Sequence, residues 1–115
     1  MREYITFKKA GREVKAGYID YKKQSYISHR NHSHQFHKFG EGFGCSVVIL
    51  NYLREKGIET ILIIFEGSIL KSSVQDFYDF GERYHDGEDK QLILPLEKFE
   101  EIKKRIIEKQ ETLPA

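Results

Sequence analysis

The chain has one cysteine, one methionine, two prolines and no tryptophan in 115 residues. A lone cysteine excludes an internal disulfide, so the fold does not depend on an oxidising compartment. No apolar run approaches the roughly 18 residues that a membrane-spanning helix needs. With 32% charged residues, a membrane protein is not expected. Met1-Arg-Glu-Tyr leads straight into an alternating pattern, so no signal peptide is expected and a cytoplasmic location is. There is no internal repeat, low-complexity run or interdomain linker. Without tryptophan, the aromatic part of a core must come from the seven tyrosines and eight phenylalanines.

What is present is unevenly spread. The net charge is only +1. Residues 1–40 nevertheless carry nine Lys/Arg against three acids, a balance of +6, and the remainder carries ten against fifteen, a balance of −5. A basic half of this kind points to a polyanionic partner. Its basic residues are Arg2, Lys8, Lys9, Arg12, Lys15, Lys22, Lys23, Arg30 and Lys38.

Periodicity supplies the expected elements. Tyr4–Lys8 alternates apolar and polar residues and reads as a half-buried strand. Ala10-Gly11-Arg12 is a turn, and Glu13–Asp20 a second strand. Lys22-Lys23 mark the next turn before a third strand over Gln24–His29, making an antiparallel meander. Cys45–Lys56 reads as a helix stopped by Gly57, with Ile58 placed for the hydrophobic contact of a left-handed cap. Thr60–Phe65 is apolar at nearly every position, as a strand buried on both faces should be. A helix capped by Ser72 or Ser73 is expected to run to about Tyr84. Gln91–Leu94 is a short strand closed by Pro95, and a last helix is expected from Leu96 to Lys109. The expected fold is α+β: a three-stranded antiparallel meander followed by α-β-α-β-α, one small domain over residues 1–111, with 112–115 a frayed tail.

Chemistry concentrates between the third strand and the Cys45 helix. His29, His32, His34 and His37 fall there, four of five histidines. Gly40, Gly42 and Gly44 follow, alternating before the expected helix. Glycines at a helix N-terminus let backbone N–H groups approach an anion. The spacing is neither a P-loop, for lack of Gly-Lys-Ser/Thr, nor the dinucleotide G-x-G-x-x-G. Arg30, His32, His34, His37 and Lys38 are the expected phosphate contacts, with Lys8, Lys9, Lys22 and Lys23 extending the basic surface. In an extended segment His32 and His34 share a side and suit a divalent metal, zinc or manganese. His37 joins them as a candidate ligand, with His29, Glu41, His85 and Asp86 as further partners.

Two catalytic patterns fit poorly. The histidine-hydrophobic-histidine nuclease pattern meets Ser33 in its middle position, and its tyrosine would be Tyr78 or Tyr84. Glu13-Val14-Lys15 matches the triplet of metal nucleases but lacks an acid on a preceding strand. Cys45 at a helix N-terminus would have a lowered pKa, although a small buried residue reads more simply. Aromatics interleave with the basic residues at Tyr4, Phe7, Tyr18, Tyr21, Tyr26, Phe36, Phe39 and Phe43. Such a face stacks bases and tracks phosphates. The expected function is therefore a small nucleic-acid- or nucleotide-phosphate-binding protein. The alternatives are a metal-dependent nuclease or phosphodiesterase using the histidines, and a non-enzymatic interaction factor.

Overall fold

The computed structural model describes residues 2–9, 11–28, 42–65, 67–86 and 89–109. The first three strands form as their alternation requires: β1 (Arg2–Lys9), β2 (Arg12–Asp20) and β3 (Ser25–Ser28). They pair antiparallel in sequence order. Next come β4 (Gly42–Ser46), α1 (Val47–Glu55), β5 (Thr60–Phe65) and β6 (Ser68–Ser73). The chain ends with α2 (Val74–Phe80), β7 (Glu82–Asp86), β8 (Asp89–Pro95), α3 (Leu96–Lys103) and β9 (Ile106–Lys109). One sheet has six strands in the order β1-β2-β3-β5-β6-β9, mixed because β3 and β5 run parallel. The other is an antiparallel sheet ordered β4-β8-β7.

The expected layout of a meander followed by α-β-α-β-α is thereby corrected. Sheet dominates the described residues, and four strands lie where the sequence pattern gave loop or helix. β4 occupies the glycines and the start of the expected Cys45 helix. β6 follows a tight connection in which Phe65 pairs with Ser68 and Gly67 has φ +78°. β7 takes the end of the expected second helix, and β9 the last turn of the expected third. In β9 the unfilled edge of β6 outweighs local helix propensity: Lys71 N–H donates to the Arg105 carbonyl (3.1 Å), and β6 pairs with β9 from Ser68 to Leu70. Ile106 and Ile107, expected on the apolar side of a helix, are 59% and 48% exposed. The expected tail, 112–115, lies outside the described residues.

The helices end and begin by recognisable chemistry. At the end of α1, Gly57 N–H donates to the Arg54 carbonyl and Ile58 N–H to that of Leu53. With Gly57 at φ +73°, this is a Schellman cap, and both Leu53 and Ile58 are buried. At the start of α2, Ser73 Oγ accepts from Asp76 N–H while Asp76 Oδ2 accepts from Ser73 N–H, each at 3.0 Å. This is a capping box with aspartate in place of glutamate.

The main core lies between the two sheets and draws on all three helices. Ile19, Ile61, Ile63 and Leu70 come from the large sheet, Phe43, Leu92 and Leu94 from the small one. Leu50, Phe77 and Ile102 come from the helices. Phe43 stacks on Phe99 with ring centroids 6.3 Å apart and the planes within 4°. Successive residues of β5 alternate: Ile61 and Ile63 join this core, while Leu62 joins Tyr18, Ile27 and Ile69 on the other face of the large sheet.

Candidate nucleic-acid interface

β1 is an edge strand of the large sheet, and its residues alternate between two environments. Glu3 and Ile5 turn toward the main core, where Ile5 packs. Arg2 and Tyr4 lie on the opposite face with Tyr18 of β2. Strict alternation along β2 would put Lys15 and Tyr18 on different faces. The register shift between Ile5 and Thr6 prevents this: Ile5 pairs with Gly17 and Thr6 with Lys15, leaving Ala16 as the extra residue. Such a bulge re-aims the side chains beyond it. Ala16 turns into the main core, and Lys15 joins Tyr18 on the outer face.

The result is a ladder of alternating charge and ring. The Arg2 guanidinium carbon lies 4.6 Å from the Tyr18 ring centroid. The rings of Tyr18 and Tyr4 are 5.4 Å apart, and the Lys15 ammonium is 4.9 Å from the Tyr4 ring. Both cations are within cation–π range. Tyr18 is buried, whereas Tyr4 is 44% exposed. Burial pushes the Tyr18 hydroxyl pKa up, and the nearby Arg2 charge partly offsets this.

The inner side of β1 is anchored. The Glu3 carboxylate accepts from the Tyr21 hydroxyl at 2.5 Å through Oε1 and from the Tyr52 hydroxyl through Oε2. The two hydroxyls, Tyr21 first, hold the Glu3 carboxyl below its ordinary range, and the Lys56 charge adds to this. The same contact pushes Tyr52 up to about 12. One carboxylate thus ties the edge strand to the β2–β3 turn and to α1.

The expected site residues fall into three groups. Arg30, His32, His34, His37, Lys38 and Gly40 lie outside the described residues, as do Phe36, Phe39, Glu41 and His29. Lys8 and Lys9 end β1, while exposed Lys22 and Lys23 lie in the turn after β2. The two lysine pairs therefore stand at opposite ends of the nine-residue β2, roughly 30 Å apart by strand rise. Gly42 and Gly44 lie in β4, buried or half-buried and paired with Pro95 and Ile93. A Cβ on Gly42 would meet the Leu94 carbonyl oxygen at 2.3 Å, and one on Gly44 the Gln91 Oε1 at 2.8 Å. At Gly42 glycine serves close packing against the β8 backbone, at Gly44 the neighbour is the end of the Gln91 side chain, and the helix begins only at Val47.

Other expectations are also relocated. Cys45 is buried in β4 rather than at a helix N-terminus. Phe43 is a core ring, not a stacking platform. Tyr84 is on strand β7, and Tyr78 on α2 donates to Asn51 Oδ1 at 2.6 Å. Lys15 of the Glu13-Val14-Lys15 triplet is engaged with Tyr4. The expected zinc or manganese ligands His32, His34 and His37 lie outside the described residues. Among the described residues, no three of histidine, cysteine, aspartate and glutamate come together as a metal site.

Sequence pattern placed Arg2, Tyr4, Lys15 and Tyr18 in the basic, aromatic half but did not group them. Arg2 lies before the expected first strand, Tyr4–Lys8, and only the longer β1 makes it a same-face neighbour of Tyr4. Lys15 was not legible either, because only the bulge at Ala16 brings it round. No helix among the described residues is long and apolar enough to cross a membrane. Comparison of the chain with protein-family models, curated proteins and solved structures finds no significant match.

Proposed function

We propose that this protein binds single-stranded nucleic acid across the outer face of β1 and β2. The observation that carries the reading is the Arg2–Tyr18–Tyr4–Lys15 ladder on an edge ribbon. Single-strand binders combine exposed rings that stack bases with cations that follow the phosphates. Tyr4 is the platform, backed by the buried ring of Tyr18. Lys15 rests on that platform by a flexible stem and moves to a phosphate when a base takes its place. Arg2 holds a second phosphate. Exposed Arg12 at one end of β2, and exposed Lys22 and Lys23 at the other, extend the basic surface. The excess of nine basic over three acidic residues in positions 1–40 supports the same reading.

Fluorescence anisotropy with labelled oligonucleotides at low salt tests it. Single strands bind at micromolar protein or tighter, and duplexes bind more weakly. Tyr4→Ala weakens binding roughly 5- to 150-fold, the cost of about 1–3 kcal/mol for one lost base stack. Arg2→Ala and Lys15→Ala each reduce the slope of log K against log salt by about 0.7, as loss of one phosphate contact to a single strand does. Absence of binding, or binding indifferent to Tyr4→Ala, overturns the proposal.

A further inference from the structure

A second basic site lies on the other sheet, in the half of the chain that is acidic overall. A cavity of about 340 Å³ opens between the β7–β8 hairpin and the helices α1 and α2. Leu92, Val47 and Tyr78 supply ring and aliphatic surface, and Arg83 and Lys90 supply charge. None of the described residues lining it is acidic.

Register places the two cations together. Arg83 pairs with Leu92 and His85 with Lys90, so Arg83 and Lys90 are diagonal neighbours on one face of the hairpin. Diagonal positions lie roughly 7–8 Å apart, within reach of a shared anion for side chains of this length. Both are exposed, and among the described residues neither side chain forms an ion pair or hydrogen bond. Lys90 is on the middle strand β8, one residue beyond the pairing of Gln91 with Ser46.

The N-terminus of α1 reaches the same cavity through Val47. No acidic residue stands in the first turn of α1. A helix N-terminus carries partial positive charge and ordinarily gathers acids. Here the charged residues lining the same cavity are Arg83 and Lys90. Two cations and the first residue of α1 thus line one concavity.

We propose that this cavity binds a small organic phosphate with a flat ring, the size of a mononucleotide. The phosphate sits between Arg83 and Lys90, and the ring lies against Leu92, Val47 and Tyr78. The volume is at the small end of ordinary ligand sites, which begin near 300 Å³. The inference is independent of the β1–β2 ribbon, which belongs to the other sheet.

Titration of the full chain with adenosine 5′-monophosphate, adenosine and inorganic phosphate, followed by amide NMR shifts, tests it. The nucleotide gives saturable shifts at Gly81, Gln91 and Leu92 at millimolar concentration or below. Adenosine and phosphate each bind at least about tenfold more weakly. Arg83→Ala and Lys90→Ala each weaken the nucleotide about tenfold or more, the usual effect of losing a charge-assisted hydrogen bond. Both residues are exposed, so unchanged amide dispersion establishes that the variants remain folded. Tyr4→Ala leaves nucleotide binding unchanged, which separates this site from the ribbon. No saturable shift, phosphate binding as tight as the nucleotide, or nucleotide binding unaffected by both substitutions overturns the proposal.

Discussion

Glu3 concentrates more of the tertiary structure than its place near the chain start implies. Its carboxylate is shared between Tyr21 and Tyr52, residues that are 18 and 49 positions away. The carboxyl is held below its ordinary value of 4.5, so folding favours its charged form. The resulting stability is fully present above pH 4.5 and is lost as the pH falls through the lower folded value. Tyr52 titrates in the opposite sense. Its folded pKa of about 12 lies above the ordinary 10.0, so the neutral hydroxyl is favoured. That contribution is present below pH 10 and is lost as the pH rises toward 12. Glu3→Gln is therefore expected to flatten the acid limb of a stability–pH profile, and Tyr52→Phe the alkaline limb. Each change amounts to at most about one proton's slope. Urea midpoints measured across pH 3–5 and 9–12 check this, and unchanged limbs in both variants would show that the clamp contributes nothing. Sequence spacing could not reveal the clamp, because three residues from three elements meet only once β1 and α1 share a sheet face.

At the scale of elements, one aspartate joins three of them. Asp76 accepts from Ser73 N–H of β6, from Ser72 Oγ at 3.1 Å, and from the Arg105 guanidinium at 3.0 Å. Burial works to raise its pKa, but these three donors prevail and hold the carboxyl below its ordinary range. The cap was legible from Ser72-Ser73 before an apolar helix. The Arg105 contact was not, since Arg105 was read as the interior of a longer helix rather than the bend leading into β9. Ser73→Ala is expected to cost about 1 kcal/mol, the usual worth of an N-cap. Asp76→Ala removes the reciprocal half of the box together with the bonds from Ser72 and the half-exposed Arg105, so it should cost about 2 kcal/mol or more. Denaturant unfolding of the two variants ranks them, and equal losses would mean that Arg105 adds nothing. The glycines tell a similar story about range. Alternating Gly40, Gly42 and Gly44 resemble an anion cradle in sequence. At Gly42, however, the decisive neighbour is the Leu94 carbonyl, more than fifty residues later. Gly42→Ala should destabilise by roughly 1–3 kcal/mol through overpacking. A variant as stable as the parent would remove close strand packing as the reason for glycine there.

Across the whole molecule, the meander and the buried strand Thr60–Phe65 were legible because each has its own period or apolar run. β4, β6, β7 and β9 were not, because their residues are glycine, serine, charged residues or a short apolar pair. They become strands only by pairing with β8, β5 or β6. The charge split was legible from the start, and it separates a local ribbon from a global field. The exposed acids of α3 test the difference. Glu97, Glu100 and Glu101 lie in the acidic part of the chain, and the surface pairs Lys98–Glu101 and Lys103–Glu100 contribute about 0–1 kcal/mol each. Neutralising all three to glutamine should therefore leave the fold intact. At physiological salt the screening length is about 8 Å, so distant charges hardly reach the ribbon. The triple variant is expected to keep its oligonucleotide affinity within about twofold there, and to tighten more clearly near 0.01 M salt, where screening extends to about 30 Å. Converting Arg2 and Lys15 to glutamate should abolish measurable binding at both salts, since it places like charge against the phosphates. If the α3 substitutions shift affinity at physiological salt as strongly as the ribbon substitutions do, the Arg2–Tyr18–Tyr4–Lys15 ladder is not where the strand binds.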